Sequence, residues 1–145
     1  MRVDFYLLSR DPVEAALPRI ARSVKAAGER LLVVSADAAQ LSAVGKALWA
    51  QFPDEFLANG LAGEPHAERQ PVLLGESCEA ANGARHIALA DGAWRDEALG
   101  FERAFLFVNE DSRGAARAAW KALGTREDVE RHFWKQDGAR WIEGP

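Results

Sequence analysis

The sequence predicts an α/β fold: a three-layer sandwich built on a mostly parallel central sheet. In the first part of the chain, short apolar segments alternate with amphipathic helical segments, an order typical of parallel strands joined by helices. Three further apolar runs follow, and each is almost continuously hydrophobic. Strands covered by helices on both faces need such runs, whereas a sheet with one exposed face would alternate. The 145 residues are enough for one domain, residues 1–145, with one core.

The first strand and helix are predicted from a change in hydrophobic period. Residues 3–8 form an apolar run, and residues 12–27 then carry apolar side chains at helical spacing. Pro18 lies inside this second pattern, so we expect a loose first turn and a regular helix only from Pro18 onward. Gly28 is a natural end for the helix.

A second strand and helix follow directly. Residues 31–35 are apolar and rich in branched side chains, which favours a strand. Asp37 offers a side-chain acceptor ahead of a helical segment at residues 38–50, so it is predicted to cap that helix. Pro53 blocks continuation, and the helix should therefore end near Gln51 and give way to an irregular connection.

The second half of the chain is predicted to add three central strands and a last helix. Turn-forming residues bound each apolar run, and acidic residues precede the helix, where they suit its positive end. The tail after Val129 is rich in aromatic residues and should pack against the domain. The strands are predicted at 72–74, 87–90 and 104–108, the helix at 111–123, and the aromatic residues of the tail are Phe133, Trp134 and Trp141.

Three aromatic residues, Trp49, Phe52 and Phe56, flank Pro53 at the end of the second helix. Connections normally lie on the surface, so large rings in one either fold back into the core or form an exposed apolar patch. An exposed patch of this kind usually binds a partner. These residues alone leave both alternatives open.

Composition limits the classes of function. A net charge of -4 and a pI near 5.4 argue against a protein that grips nucleic acid directly, because phosphate binding depends on Lys and Arg. Cys78 is the single cysteine, so an internal disulfide is excluded. We see neither a signal segment nor an apolar run of membrane-spanning length, and therefore expect a cytoplasmic protein without a membrane partner.

The sequence lacks the short motifs of several common chemistries. A phosphate-binding loop needs a glycine five residues before its Gly-Lys pair, but Gln40 stands at that distance from Gly45-Lys46. The first strand is followed by SRDPVEAA, which has no glycine for a dinucleotide. The three histidines are widely spaced and show no metal-ligand pattern. We expect no catalytic residue, cofactor or metal.

One face of the predicted last helix combines positive charge with an aromatic ring. Arg113, Arg117 and Lys121 lie four residues apart, and Trp120 is three residues beyond Arg117, so all four share a face. Such a stripe is commonly only a solvated surface over which long side chains extend. The indole favours a different function, because fixed cations beside an aromatic ring suit an acidic peptide with an apolar end.

The chain also resembles the chi subunit family of bacterial DNA polymerase III holoenzyme. The resemblance spans nearly the whole chain, and its weight comes from the order and spacing of short motifs. These motifs are FYLL at 5–8, ALW at 47–49, NGLAGE at 59–64, Asn109-Glu110-Asp111, Arg117-x-x-Trp120-Lys121, and Phe133-Trp134-Lys135-Gln136.

The resemblance implies a non-catalytic adaptor of the clamp-loader complex with a Rossmann-like fold that lacks a phosphate-binding loop. One surface of such a protein binds the acidic C-terminal tail of single-stranded DNA-binding protein, which ends in Pro-Phe. By position, the resemblance assigns this role to Arg117, Trp120 and Lys121, with Phe107 as a further pocket wall. Helix geometry adds Arg113.

A second surface of family members binds the psi subunit. By position it carries over to Trp49 and Phe56, with Phe52 at a place where the family varies. After Lys121 this chain departs from the family, because it has Leu123 and a longer turn where an aromatic residue and a glycine turn are common. Two alternatives stay open: a nucleotide- or small-molecule-binding enzyme on the same fold, and direct DNA binding, which the net charge disfavours.

Overall fold

A computed structural model describes residues 1–9, 11–137 and 140–144. This part of the chain contains eight β-strands, three α-helices and short 3₁₀ turns. The strands are β1 (Arg2–Leu7), β2 (Leu31–Val34), β3 (Asn59–Leu61), β4 (Val72–Gly75), β5 (His86–Leu89), β6 (Arg103–Val108), β7 (Glu130–Asp137) and β8 (Arg140–Glu143). The helices are α1 (Val13–Ala26), α2 (Ala38–Ala50) and α3 (Arg113–Leu123).

All eight strands belong to one sheet, in the order β3-β4-β2-β5-β6-β1-β7-β8. Every pairing is parallel except that of β7 with β8. The predicted α/β sandwich with a mostly parallel sheet is therefore confirmed. None of the described helices combines the length and apolar character needed to cross a bilayer.

Helices cover both faces of the sheet, and the side chains of each strand alternate between them. Tyr6 and Phe107 belong to the apolar cluster under α1 and α2. Phe5 and Leu106, their chain neighbours, belong to the cluster under α3. The two sides of the sheet therefore have separate cores instead of the one core expected, and only the core that contains Phe5 bears on the site beside α3.

Helix α1 corrects one expectation. Its regular structure begins at Val13, and Pro18 lies buried inside it instead of at its start. The backbone N–H groups of Ala15 and Ala16 already donate to the carbonyl of Pro12, so the first turn is closed before the proline. Proline removes a single donor there, and burial of its ring favours keeping it in the helix. Gly28 ends the helix as predicted, with a φ of +76°.

Two regions form strands that the sequence analysis did not predict. The connection after α2 is not wholly irregular, because it contains the edge strand β3 beside β4. The aromatic tail does pack against the domain, as expected, but it does so as β7 beside β1 and as β8 beside β7. Their polar and glycine-containing sequences, NGL in β3 and ERHFWKQD in β7, hide the strands from a hydrophobicity pattern.

Candidate functional site: a pocket beside helix α3

Helix α3 lies on the sheet through small side chains. Ala116, Ala119 and Leu123 are its buried residues, and alanines allow the helix backbone to approach the strands closely. Before the helix, the amide N–H of Ser112 donates to the Asn109 side chain at 2.9 Å, and the Asn109 amide donates to the Ser112 hydroxyl at 3.0 Å. This reciprocal pair fixes the turn from which α3 begins.

A pocket of about 270 Å³ opens between α3 and the sheet. Its floor is apolar and comes from three neighbouring strands, while α3 supplies one wall and two cations. The lining residues are Phe5 and Leu7 from β1, Val108 from β6, Phe133 from β7, and Arg113, Ala116, Arg117 and Trp120 from α3. The pocket can therefore hold one apolar group with an anionic group beside it.

Trp120 forms the aromatic wall of the pocket. Its indole meets the ring of Phe5 edge to face, with centroids 5.1 Å apart, and that of Phe133 in the same way at 6.3 Å. The guanidinium carbon of Arg131 lies 4.2 Å from the indole centroid, so a cation already covers part of this ring. The indole is half-buried and offers an incoming ligand only part of its surface.

The two cations of the pocket differ in their surroundings. The guanidinium of Arg113 contacts the Glu110 carboxylate at 3.4 Å. Arg117 is exposed, and among the described residues no hydrogen bond or ion pair engages it. An anion at the pocket therefore meets one cation that is not already paired.

The structure brings three of the five residues predicted for this site together: Arg113, Arg117 and Trp120. Lys121 is exposed next to Trp120 in the chain but does not line the pocket. Phe107 is not a wall of it, because its side chain points to the opposite face of the sheet and is only 2% exposed. Its neighbour Val108 takes that place.

The pocket also contains residues that the sequence analysis did not name as site residues. Phe5 and Phe133 pair with each other across β1 and β7 and form the floor beside Leu7. Both phenylalanines lie in motifs that carried the family resemblance. Helix geometry alone could not find them, because they come from strands far apart in sequence.

Of the three aromatic residues near Pro53, two are exposed and one packs against the core. Trp49 is 52% exposed and Phe56 is 72% exposed. Phe52 instead packs against the core, and the guanidinium carbon of Arg22 lies 4.1 Å from its ring centroid. Phe56 also has a φ of +48°, a costly conformation for a bulky side chain. A strained backbone that holds the Phe56 ring in solvent favours a functional role for this surface.

A groove of about 730 Å³ lies beside Trp49, between α2 and β3. β3 lies at the edge of the sheet, so its outer side has no neighbouring strand among the described residues. Leu61, in β3, is 41% exposed. We call Trp49, Phe56 and Leu61 the aromatic surface; Trp49 and Leu61 line the groove beside the open sheet edge, and Phe56 precedes β3 in the chain.

The crevice at the carboxyl ends of the strands, where open α/β sheets commonly bind ligands, is acidic. Burial acts to raise the pKa of Asp91, but hydrogen bonds from Arg95 and from the amides of Ala36 and Ala93 outweigh it and lower the pKa to about 2. A phosphate group would meet several carboxylates there. They are Asp11, Glu14, Asp91, Glu110 and Asp111.

A second cluster of titratable groups lies at the opposite ends of the strands. Glu29, His86 and Glu102 are close enough together to hold a metal ion. However, Arg85 forms ion pairs with both carboxylates. Burial lowers the pKa of His86. A metal ion would have to displace the arginine, so the contacts favour an ion-pair cluster.

Fold and pocket together define a Rossmann-like α/β protein with an aromatic and cationic pocket beside its last helix and an acidic crevice at its strand ends. Comparison with protein-family models matches residues 1–130 to the DNA polymerase III chi subunit, HolC. The chain belongs to this family. Its role is therefore that of a replication accessory subunit of the DNA polymerase III holoenzyme, and the family is non-catalytic. Comparison with curated protein sequences found no match.

Proposed function

We propose that this chain, as one chi-like domain, is a cytoplasmic adaptor of the clamp-loader complex without enzymatic activity. In this proposal the pocket beside α3 binds the acidic C-terminal tail of single-stranded DNA-binding protein. The observation that carries it is the combination in one pocket of an apolar aromatic floor with Arg113 and with Arg117, which has no ion-pair partner among the described residues. The second partner in the proposal is the psi subunit, bound at the aromatic surface.

The chemistry of the tail matches the two halves of the pocket. Its terminal phenylalanine would enter the space above Phe5 and Phe133, where a ring can make further edge-to-face contacts. Its carboxylates would pair with Arg113 and Arg117 at the mouth, and each charge-assisted hydrogen bond contributes roughly 1.5 to 3 kcal/mol. Lys121, exposed beyond the pocket, would attract acidic residues further along the tail.

Calorimetric titration with a synthetic acidic peptide ending in Asp-Ile-Pro-Phe tests the tail site. We expect a dissociation constant on the order of micromolar at low salt. Affinity should fall as salt rises, because exposed charges are screened. A matched peptide ending in Asp-Ile-Pro-Ala should bind more than about 10-fold more weakly, since it cannot fill the apolar floor. Absence of binding by well-folded wild-type protein would contradict the proposal.

Co-expression with a psi subunit tests the aromatic surface. Trp49→Asp should abolish co-purification of psi. The exposed indole would supply apolar contact area at the interface, and the variant would have to bury a carboxylate in its place. Ile142→Asp is the matched control: Ile142 is also about half exposed, but it lies on β8 at the opposite edge of the sheet. Unchanged co-purification of psi by the Trp49 variant would exclude this surface as the interface.

The alternatives have less support. Five carboxylates around the strand-end crevice disfavour a nucleotide ligand, because they would repel its phosphates. The overall negative charge disfavours direct binding of nucleic acid. The cytoplasmic location in the proposal follows from the role in replication.

A further inference from the structure

We propose that Arg131 is a positioning residue for the pocket beside α3, where it holds the Trp120 indole in the orientation that forms the aromatic wall. Its effect on a ligand rests on the proposed function, while its effect on the indole can be observed in the protein alone. The family match ends at residue 130 and does not include Arg131.

The Arg131 side chain contacts Trp120 at two points. Its guanidinium carbon lies 4.2 Å from the centroid of the indole, the distance of a cation–π contact. Its Nη1 donates a hydrogen bond of 2.7 Å to the backbone carbonyl of Trp120. One planar group thus contacts both the ring and the backbone of the same residue, whose carbonyl also accepts the backbone N–H of Gly124 at 3.1 Å in the last turn of α3.

Arg131 contacts the pocket through Trp120. Trp120 lines the pocket, whereas Arg131 does not. Trp120 also packs against the apolar cluster under α3 and meets Phe5 and Phe133 edge to face, but it stays partly exposed. A partly exposed ring loses rotamer freedom when a ligand binds, and prior fixation by Arg131 lowers that cost.

Gly124 provides the space for this arrangement. A Cβ atom at Gly124 would lie 2.7 Å from Nη1 of Arg131 and 2.9 Å from its guanidinium carbon. The backbone of Gly124 has a φ of -66° and a ψ of -17°, which any residue adopts easily. Glycine is therefore not required here by conformation, and its small size is what admits the guanidinium.

Three variants distinguish the positioning of Trp120 by Arg131 from the effect of the Arg131 charge. Arg131→Met should weaken binding of the Asp-Ile-Pro-Phe peptide about 5- to 10-fold, and Arg131→Lys should recover part of the loss because it keeps the cation but not the planar fork. Gly124→Ala should weaken binding to a similar degree with no change of charge. The melting temperature of Gly124→Ala should stay equal or rise, because alanine favours helix and the displaced group is flexible.

The control and a spectroscopic readout make the test specific. Arg126→Met removes the same charge from an exposed arginine that pairs with Asp128, and it should change affinity by less than about twofold. The indole N–H resonance of Trp120 can be assigned by its loss in Trp120→Phe. In the absence of peptide, its chemical shift should change in Arg131→Met and in Gly124→Ala but not in Arg126→Met.

The outcomes of this proposal and of the proposed function are distinguishable. Peptide affinity within twofold of wild type in both Arg131→Met and Gly124→Ala would overturn the positioning role and leave the tail site intact. If wild type binds no peptide, the tail site fails, and the indole resonance alone then supports or overturns the fixation of Trp120. Should Arg131→Met not fold, Gly124→Ala still decides the question.

Discussion

Arg117→Glu is expected to weaken binding of the acidic tail peptide at least about 100-fold, the largest loss of peptide affinity expected for any single substitution. Arg117 lines the mouth of the pocket, and among the described residues nothing neutralises its charge. Substitution by Glu removes a charge-assisted hydrogen bond, worth roughly 1.5 to 3 kcal/mol, and sets a like charge against the tail. Titration with the Asp-Ile-Pro-Phe peptide measures the loss.

Two further charge reversals show whether the effect is local. Arg126→Glu changes the net charge by the same amount on the loop after α3, where Arg126 pairs with Asp128, and it should cost less than about threefold. Lys121→Glu should fall between the two, because Lys121 is exposed on α3 but outside the pocket. Equal losses for Arg117→Glu and Arg126→Glu would mean that only overall charge matters and would exclude the assigned site.

Much of the fold could be predicted because its signals are local. Asp37 caps α2 as expected, its carboxylate accepting from the amides of Ala39 and Gln40 at 2.9 and 3.3 Å. The apolar runs of the central strands also lie where their sequences predict them. By contrast, β7 is stabilised by pairing with β1 across the whole length of the chain, and its own polar sequence carries no strand period.

The site could be predicted only in part for a related reason. The shared face of Arg113, Arg117 and Trp120 follows from the period of one helix. Phe107 came from the family resemblance by position, but its side chain lies on the opposite face of the sheet; a continuous apolar run does not reveal which residues face which side. The alternation in β6 depends on its register with β1 and β5, and it directs Val108 to the pocket.

The exposure of the aromatic residues around Pro53 could not be predicted from the sequence either. Sequence spacing treats Trp49, Phe52 and Phe56 alike, as large rings around a proline. Their exposure differs because Arg22, from α1, covers Phe52 and because a left-handed backbone at Phe56 turns its ring outward. Both causes are tertiary or conformational, and neither leaves a sequence signal.

Asp4→Ala is expected to lower the free energy of unfolding by about 3 kcal/mol at neutral pH, near the lower end of the cost of removing one member of a buried ion pair. Asp4 is fully buried in β1. Its carboxylate accepts hydrogen bonds from Arg2 at 3.0 Å, from Arg103 at 2.8 Å and from the indole of Trp134 at 2.9 Å. The carboxylate therefore links β1, β6 and β7, and its loss leaves two cations and an N–H group without their acceptor.

The loss of unfolding free energy in Asp4→Ala lies near the lower end of the range for buried ion pairs because Arg2 and Arg103 are each about one third exposed and can be hydrated again. For a chain of 145 residues, the melting temperature should fall by roughly 6 to 12 °C. Asp128→Ala is the matched control, because it breaks an exposed pair with Arg126 and should leave the free energy of unfolding nearly unchanged. Equal stability losses in the two variants would contradict a structural role for the buried carboxylate.

The difference between wild type and Asp4→Ala should also depend on pH. Burial acts to raise the pKa of Asp4, but hydrogen bonds from Arg2, Arg103 and Trp134 outweigh it, so the pKa lies below its ordinary value. A carboxyl group with a lowered pKa stabilises the folded state fully above the unfolded pKa, about 3.9, and loses that contribution as pH falls through the folded pKa. Urea unfolding of both proteins should therefore show the full difference at pH 7 and a smaller one below about pH 4. A difference that stayed constant down to acid pH would mean that the ionised carboxylate contributes nothing beyond the packing of its side chain, and the strand β7 that it binds would owe its place on β1 to backbone pairing and aromatic contacts alone.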